Sequence, residues 1–216
     1  MKYFISSILA LLLHVGCFAQ SPVSSILKGT PFKNTFNGAD VEQAIKELSH
    51  IYKVDDNGVS FVITVDSLPL SAQEIYEYSR EYLEEAYKLT RYNIETENQE
   101  KGFVIGRGEF NNFEQYAAFP NQYNFSCEHI LRIDAKEGRA RVCITVKEHD
   151  VLRTNGNKTE RNKVDIKVVS PINPDAENSK KMYNKVFLAL AKLSITTLYD
   201  VKDTLKSKQS SEVEDW

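Results

Sequence analysis

The chain is poor in the residues on which most recognisable protein chemistry rests. Of 216 residues only three are cysteine, four histidine, nine glycine and one tryptophan. One cysteine, Cys17, lies in the first twenty residues, so Cys127 and Cys143 alone remain for the folded part, and a disulfide scaffold is excluded. His50, His129 and His149 have no second His or Cys at ligand spacing that completes a metal site, since Cys127 beside His129 supplies two ligands only. No Ser stands in a nucleophile elbow, and nothing cationic flanks Cys127 to lower its pKa for a Cys-His dyad. Gly106-Arg107-Gly108 is not a phosphate loop, because Phe103, Val104, Ile105 and Phe110 continue strand character on both sides. No catalytic residue, metal ligand or cofactor is expected.

Charge of one sign is lacking as well. Lys and Arg number 27 against 30 Asp and Glu, a formal net of −3, and the signs are interspersed. With no basic field, nucleic-acid and anionic-lipid partners are disfavoured. The one long apolar run is Phe4 to Val15, too short for a comfortable membrane span.

What that run does is set an address. Lys2 precedes it and Cys17-Phe18-Ala19 follows with small residues at the positions a signal peptidase reads, so residues 1–19 are expected to be a signal peptide and the mature chain to be exported, periplasmic or secreted, starting at Gln20. The alternative is a lipid anchor on Cys17, disfavoured because His14 stands where lipoprotein signals place a Leu-like residue.

Residues 20–38 mix Ser, Pro, Gly and Thr and read as a tether; 39–206 read as a single domain, and 207–216 as a disordered charged tail. Asp40 is expected to cap a short helix bearing Val41, Ala44, Ile45, Leu48, Ile51 and Tyr52, followed by a turn at Asp55-Asp56-Asn57-Gly58 and a strand from Val59 to Asp66. Ser71-Ala72-Gln73-Glu74 is a capping box with Leu70 and Ile75 as its hydrophobic staple, and predicts a helix to about Leu89.

Arg91 to Glu97 and Gly102 to Phe110 are expected as strands, with a bulge or bend near Gly106. Gln122 to Asp134 and Arg139 to His149 form the clearest hairpin: odd positions are apolar in the first strand and even ones in the second. A four-residue loop pairing Asp134 with Arg139 satisfies those parities and turns Cys127 inward and Cys143 outward. Leu152 to Lys163 reads as a polar loop, Val164 to Val169 as a short edge strand or an extended return, and Asp175 as the cap of a long final helix over 175–206. The order β-α-β-β-β-β-α implies an α+β fold: an antiparallel sheet of about five strands with the helices packed on one face.

Val54 to Gly58, Leu68 to Tyr76, Gly102 to Phe110 and Leu131 to Ile144 together resemble the domain of unknown function 4468 family of exported, chiefly Bacteroidetes proteins. The resemblance spans about Tyr52 to Val151 and implies a TATA-binding-protein-like (helix-grip) fold. It brings no activity and no site residues.

The connector Phe110 to Phe125 is rich in aromatics, and Phe113, Tyr116, Phe119 and Tyr123 are the candidate contacts for a protein or glycan partner. The same residues could instead cover the sheet edge. Asp66-Ser67-Leu68 and Asp203-Thr204-Leu205 match short glycosylation tripeptides at Ser67 and Thr204. The functional expectation is an exported, non-enzymatic binding or structural module; the alternative is a carrier with an apolar pocket between the final helix and the sheet.

Overall fold

Side-chain alternation marks the centre of the sheet, where Phe125 to Ala135 and Ala140 to Val146 bury every second residue. In the computed structural model, which describes residues 38–87, 94–177 and 179–211, the chain runs α1 (Gly38–Leu48), β1 (Tyr52–Asp55), β2 (Gly58–Val65), α2 (Ala72–Tyr87), β3 (Ile94–Asn98), β4 (Phe103–Ala118), β5 (Asn121–Lys136), β6 (Arg139–Val146), β7 (Glu148–Asn155), β8 (Lys158–Asp165), a 3-10 turn (Ile166–Val168) and α3 (Lys180–Ser211). The sheet is antiparallel with eight strands, where about five were expected.

The extra strands are β1, over residues read as the end of a helix and the start of a turn, and the hairpin β7–β8, while a third segment read as a connector lengthens two expected strands. The aromatic connector is the far half of β4 and the near half of β5, two 16-residue strands joined at the exposed Phe119-Pro120 tip. The polar stretch Leu152 to Lys163 belongs to the hairpin β7–β8, whose second strand is exposed at every residue from Lys158 to Lys163 and so carries no apolar alternation to read. Val164 to Val169 ends β8 and enters the 3-10 turn instead of forming a separate strand.

Central order is β1-β2-β6-β5-β4-β3. β6 borders β5 over Ile130–Lys136, and β7 borders the same edge of β5 over Asn121–Ser126. Between these stretches residues 146–149 of the outer strand face only 127–129 of β5, a one-residue bulge. The parity of burial therefore flips, from even residues (Ala140, Val142, Ile144, Val146) in β6 to odd ones (His149, Val151) in β7. Lys147 C=O, at the bulge, accepts from Ile166 N–H at 3.0 Å.

The β5–β6 turn is tighter than expected, two residues with Lys136 opposite Arg139, so Asp134 faces Arg141 and not Arg139. A shift of two preserves parity, and the faces come out as read: Leu131 with Ile144 and Ile133 with Val142 are buried pairs, Cys127 points into the core, and Cys143 sits opposite Arg132 on the other face. Gly138, at φ +69°, closes that turn and clips the β2–α2 loop, donating to Leu70 C=O at 3.1 Å and accepting from Leu68 N–H at 2.9 Å.

α2 starts at its capping box: Ser71 N–H donates to Glu74 Oε2 at 2.6 Å, and Glu74 N–H donates to Ser71 Oγ at 3.2 Å. Leu70 and Ile75 are both buried. The helix buries Ile75, Tyr76, Ser79 and Leu83, and Ala86 is exposed. Leu83 comes so close to β4 that a Cβ on Gly106 would stand 2.7 Å from Leu83 Cδ2. The expected bulge lies at this point, but on the partner strand, where Glu95 is inserted opposite Gly106.

α3 lays Phe187, Leu190, Ala191, Ile195, Leu198, Val201 and Leu205 on the same sheet face, against Phe61, Val104, Leu131 and Val142. It begins at Lys180, not at Asp175, and remains helical to Ser211, through the first part of the expected tail. Asp40 falls inside α1 instead of capping it. The expected signal peptide, the expected tether up to Asn37, residues 88–89 of the helix expected to reach Leu89, residues 91–93 of the strand expected from Arg91 to Glu97, and 212–216 lie outside the described residues.

Candidate functional site

Beyond Gly106 the β3–β4 pairing ends, and from Phe110 to Ala118 β4 pairs only with β5 among the described residues. Midway, between Phe110 and Glu114, Asn111, Asn112 and Phe113 face the single residue Ser126. Asn112 absorbs the excess at φ +45°, and its N–H donates to Ser126 Oγ at 2.9 Å. Phe113 is thereby turned toward the helix side, where it packs beside Phe125 and Val151.

α3 passes over this edge, and α1 closes one end. Between them lies a cleft of about 1310 Å³, lined by every residue of β4 from Glu109 to Tyr116, by Val41 and Glu42 of α1, and by Lys181, Lys185, Leu188, Lys192 and their neighbours on α3. A drug-sized pocket measures roughly 300–1,000 Å³, so the space suits something longer. Its lining mixes apolar residues (Phe110, Phe113, Tyr116, Leu188) with amides and both charge signs. Lys185 Nζ lies 2.9 Å from Glu114 Oε1, whose side chain is 12% exposed, and ties helix to strand within the cleft.

The four aromatic candidates divide. Phe113 and Tyr116 line the cleft, half-buried, while Phe119 stands wholly exposed at the hairpin tip. Tyr123, opposite Tyr116, packs on a second apolar cluster formed by Phe125, Val151, Met182 and Val186. The sequence reading set a pocket between the final helix and the sheet only as an alternative and named no helix residue for it; the signal was the spacing Lys181, Lys185, Leu188, Lys192, one helical stripe flanking the apolar one.

The titratable groups with the largest displacement lie outside the cleft. His129 and His149 are both buried, and burial lowers the pKa of each to about 4. The Phe110 ring stacks on His129 at 4.0 Å between centroids. His149 sits among Phe113, Phe125 and Tyr183, with ring centroids 6.2 to 6.3 Å away and no hydrogen-bond partner for Nδ1. Burial pushes the Cys127 thiol up, which makes it a poor nucleophile. Among the described residues no group of three His, Cys, Asp or Glu is placed to hold a metal, and no helix is long and apolar enough to cross a membrane. His50 is exposed at the end of α1.

Ser67, at φ +60°, is exposed in the β2–α2 loop. Thr204 is half-buried within α3, next to the buried Leu205. Cys17 lies outside the described residues.

An antiparallel sheet carrying its helices on one face defines the class: an α+β protein whose sheet edge and long helix enclose a lateral cleft. Among solved structures it is similar to a DUF4468 family protein from Bacteroides ovatus ATCC 8483, with a TM-score of 0.51, 16% identity, and coverage of 73% of this chain and 91% of that one. It is also similar to a TBP-like protein from Parabacteroides distasonis ATCC 8503, with a TM-score of 0.49, 15% identity, and coverage of 71% and 96%. At such identity the likeness to the DUF4468 structure is one of fold. No family model and no curated protein matches the chain.

Proposed function

We propose that the protein is an exported, non-enzymatic binding module of the cell envelope, and that the cleft between α1, α3 and the β4 edge is where it holds its partner. The observation that carries this reading is the cleft itself: about 1310 Å³ of concave space beside a strand edge that no described residue pairs, with Phe113 and Tyr116 in its wall. The buried histidines and the deactivated thiol stand outside it, and what its described residues offer is shape and contacts. Export rests on the leader at residues 1–19.

The carrier reading draws less support. Beneath α3, Val186, Phe187, Leu190, Ala191, Ile195, Leu198 and Val201 are buried against the sheet, and the cleft on the flank is lined by Lys and Glu as well as apolar side chains. Ser67 is open to a glycosyltransferase in its exposed loop, whereas Thr204 would require the helix to unwind.

The test is site-specific photocrosslinking in the native host. A benzophenone amino acid at Tyr116 should give a discrete adduct that the same probe at Thr64, exposed on the sheet, does not. Equal labelling at both positions, or labelling at Thr64 alone, would overturn the assignment.

A further inference from the structure

The cleft wall is a strand edge, and this limits what can fill it. Side chains alternate along a strand, so a wall made from one face of β4 would use every second residue. Here all eight residues from Glu109 to Tyr116 line the space, the regular ones on either side of the Asn111–Phe113 bulge included. The cleft therefore runs along the main chain, and over Phe110–Ala118 no described residue pairs with the side of β4 away from β5. Unpaired N–H and C=O groups on such an edge are a template for another strand.

The opposite wall gives the occupant its chemistry. α3 contributes Lys180, Lys181, Lys185 and Lys192 to the lining and no acid, with Leu188 and Ala189 between them. The acids of the lining lie off α3, Glu42 on α1, Glu109 and Glu114 on β4 and Glu177 ahead of α3, and Glu114 is in contact with Lys185 and Glu177 with Lys180. A segment lying along β4 would point every second side chain at α3, where it meets ammonium groups and a short apolar floor.

We propose that the cleft binds an extended, acidic and apolar polypeptide segment, which adds to the β4 edge as a further strand and sets its acidic side chains against the lysines of α3. Main-chain hydrogen bonds to Phe110–Ala118 give affinity in this mode, and the α3 wall gives preference. The inference rests on the cleft being the binding site and names what it binds.

The probe is a fluorescein-labelled, end-capped ten-residue peptide of alternating Glu and Val, read by polarisation against the full mature chain. It should bind in the micromolar range and at least 10-fold tighter than the Lys/Val counterpart. N-methylation of alternate residues along one edge of the peptide should abolish binding, while methylation along the other edge is tolerated, because a single edge faces β4. Lys181→Glu, at an exposed position, should weaken binding at least 5-fold with an unchanged Tm.

Binding that tolerates methylation on both edges overturns strand addition while leaving the cleft as a site. Failure to bind at 1 mM overturns the proposal, as does a crosslink from Lys181 showing the cleft already filled by residues 20–37 or by a second copy. Failure of the Tyr116 adduct removes the cleft itself, so the two readings fail separately.

Discussion

Acid should destabilise this protein well above the pH at which carboxylates protonate, and the two buried histidines set the amount. Each has a folded pKa of about 4 against an ordinary 6.5, lowered by burial. A depressed histidine is held neutral in the fold, so its contribution is complete above pH 6.5 and is lost as pH falls toward 4, because the unfolded chain takes up the proton first. At pH 5 proton uptake by the unfolded state amounts to about 2 kcal/mol per histidine, or about 4 kcal/mol for the pair, from 1.36 kcal/mol per pKa unit. That is a large part of a typical 5–15 kcal/mol stability. Glu74, lowered from 4.5 by its hydrogen bonds to Ser71, and Asp134, which Arg132 and Arg141 lower from 3.8 against its burial, add to the loss mainly below pH 5. Asp200, whose pKa burial and the nearby Asp203 raise, works in the opposite sense, and the window from pH 7.5 to 5 is the one the histidines dominate. Urea unfolding at intervals across it, followed by circular dichroism, measures the slope. His149→Phe places a ring of similar shape among Phe113, Phe125 and Tyr183 and should remove about half of the pH dependence while leaving stability at pH 7.5 within about 1.5 kcal/mol. A wild-type stability that is flat from pH 7.5 to 5, or a variant with an undiminished slope, would refute the reasoning.

Three further outcomes are expected. Gly106→Ala should cost about 1–3 kcal/mol in thermal or urea unfolding, since its methyl group meets the buried Leu83 at 2.7 Å, and pairing it with Leu83→Val should recover part of the loss; an unchanged Tm would show that α2 is not seated as described. Phe119→Ala should cost under about 0.5 kcal/mol and Phe125→Ala about 3–5 kcal/mol, because the first ring is fully exposed and the second fully buried; similar losses would contradict the placement of the hairpin tip. Intact-mass measurement of the exported protein should give a chain beginning at Gln20, and a diacylglyceryl mass on Cys17 would overturn the leader assignment.

The parts of the fold legible in the sequence were those where a local signal and burial agree. The Ser71/Glu74 box and the alternation of Phe125 to Ile133 and Ala140 to Val146 each point one way, and the structure places them as read. What escaped was pairing without alternation. β8 is exposed from Lys158 to Lys163, and the far part of β4 carries Asn111-Asn112 in a bulge, so neither has the period of a half-buried strand. The parity flip at Lys147 hid β7 for a related reason, because an inserted residue turns one strand into two out-of-phase halves. The cleft was half legible. Its aromatics were singled out, but their contact with α3 depends on a tertiary arrangement that no run of residues encodes.

The bulge at Lys147 also divides the molecule into halves of unequal firmness. On one side β5 is flanked by β6 and β4 beneath α2 and α3; on the other β4, β5, β7 and β8 rest on a small patch of Met182, Tyr183 and Val186 at the start of α3. Little apolar area holds the second half, so it should open on its own, and its amides should exchange with solvent long before those of Ile130 to Lys136. The edge strand that lines the cleft extends into that looser half. Filling the cleft would then be reported at a distance, as slower exchange along β7 and β8, two strands that line no part of it.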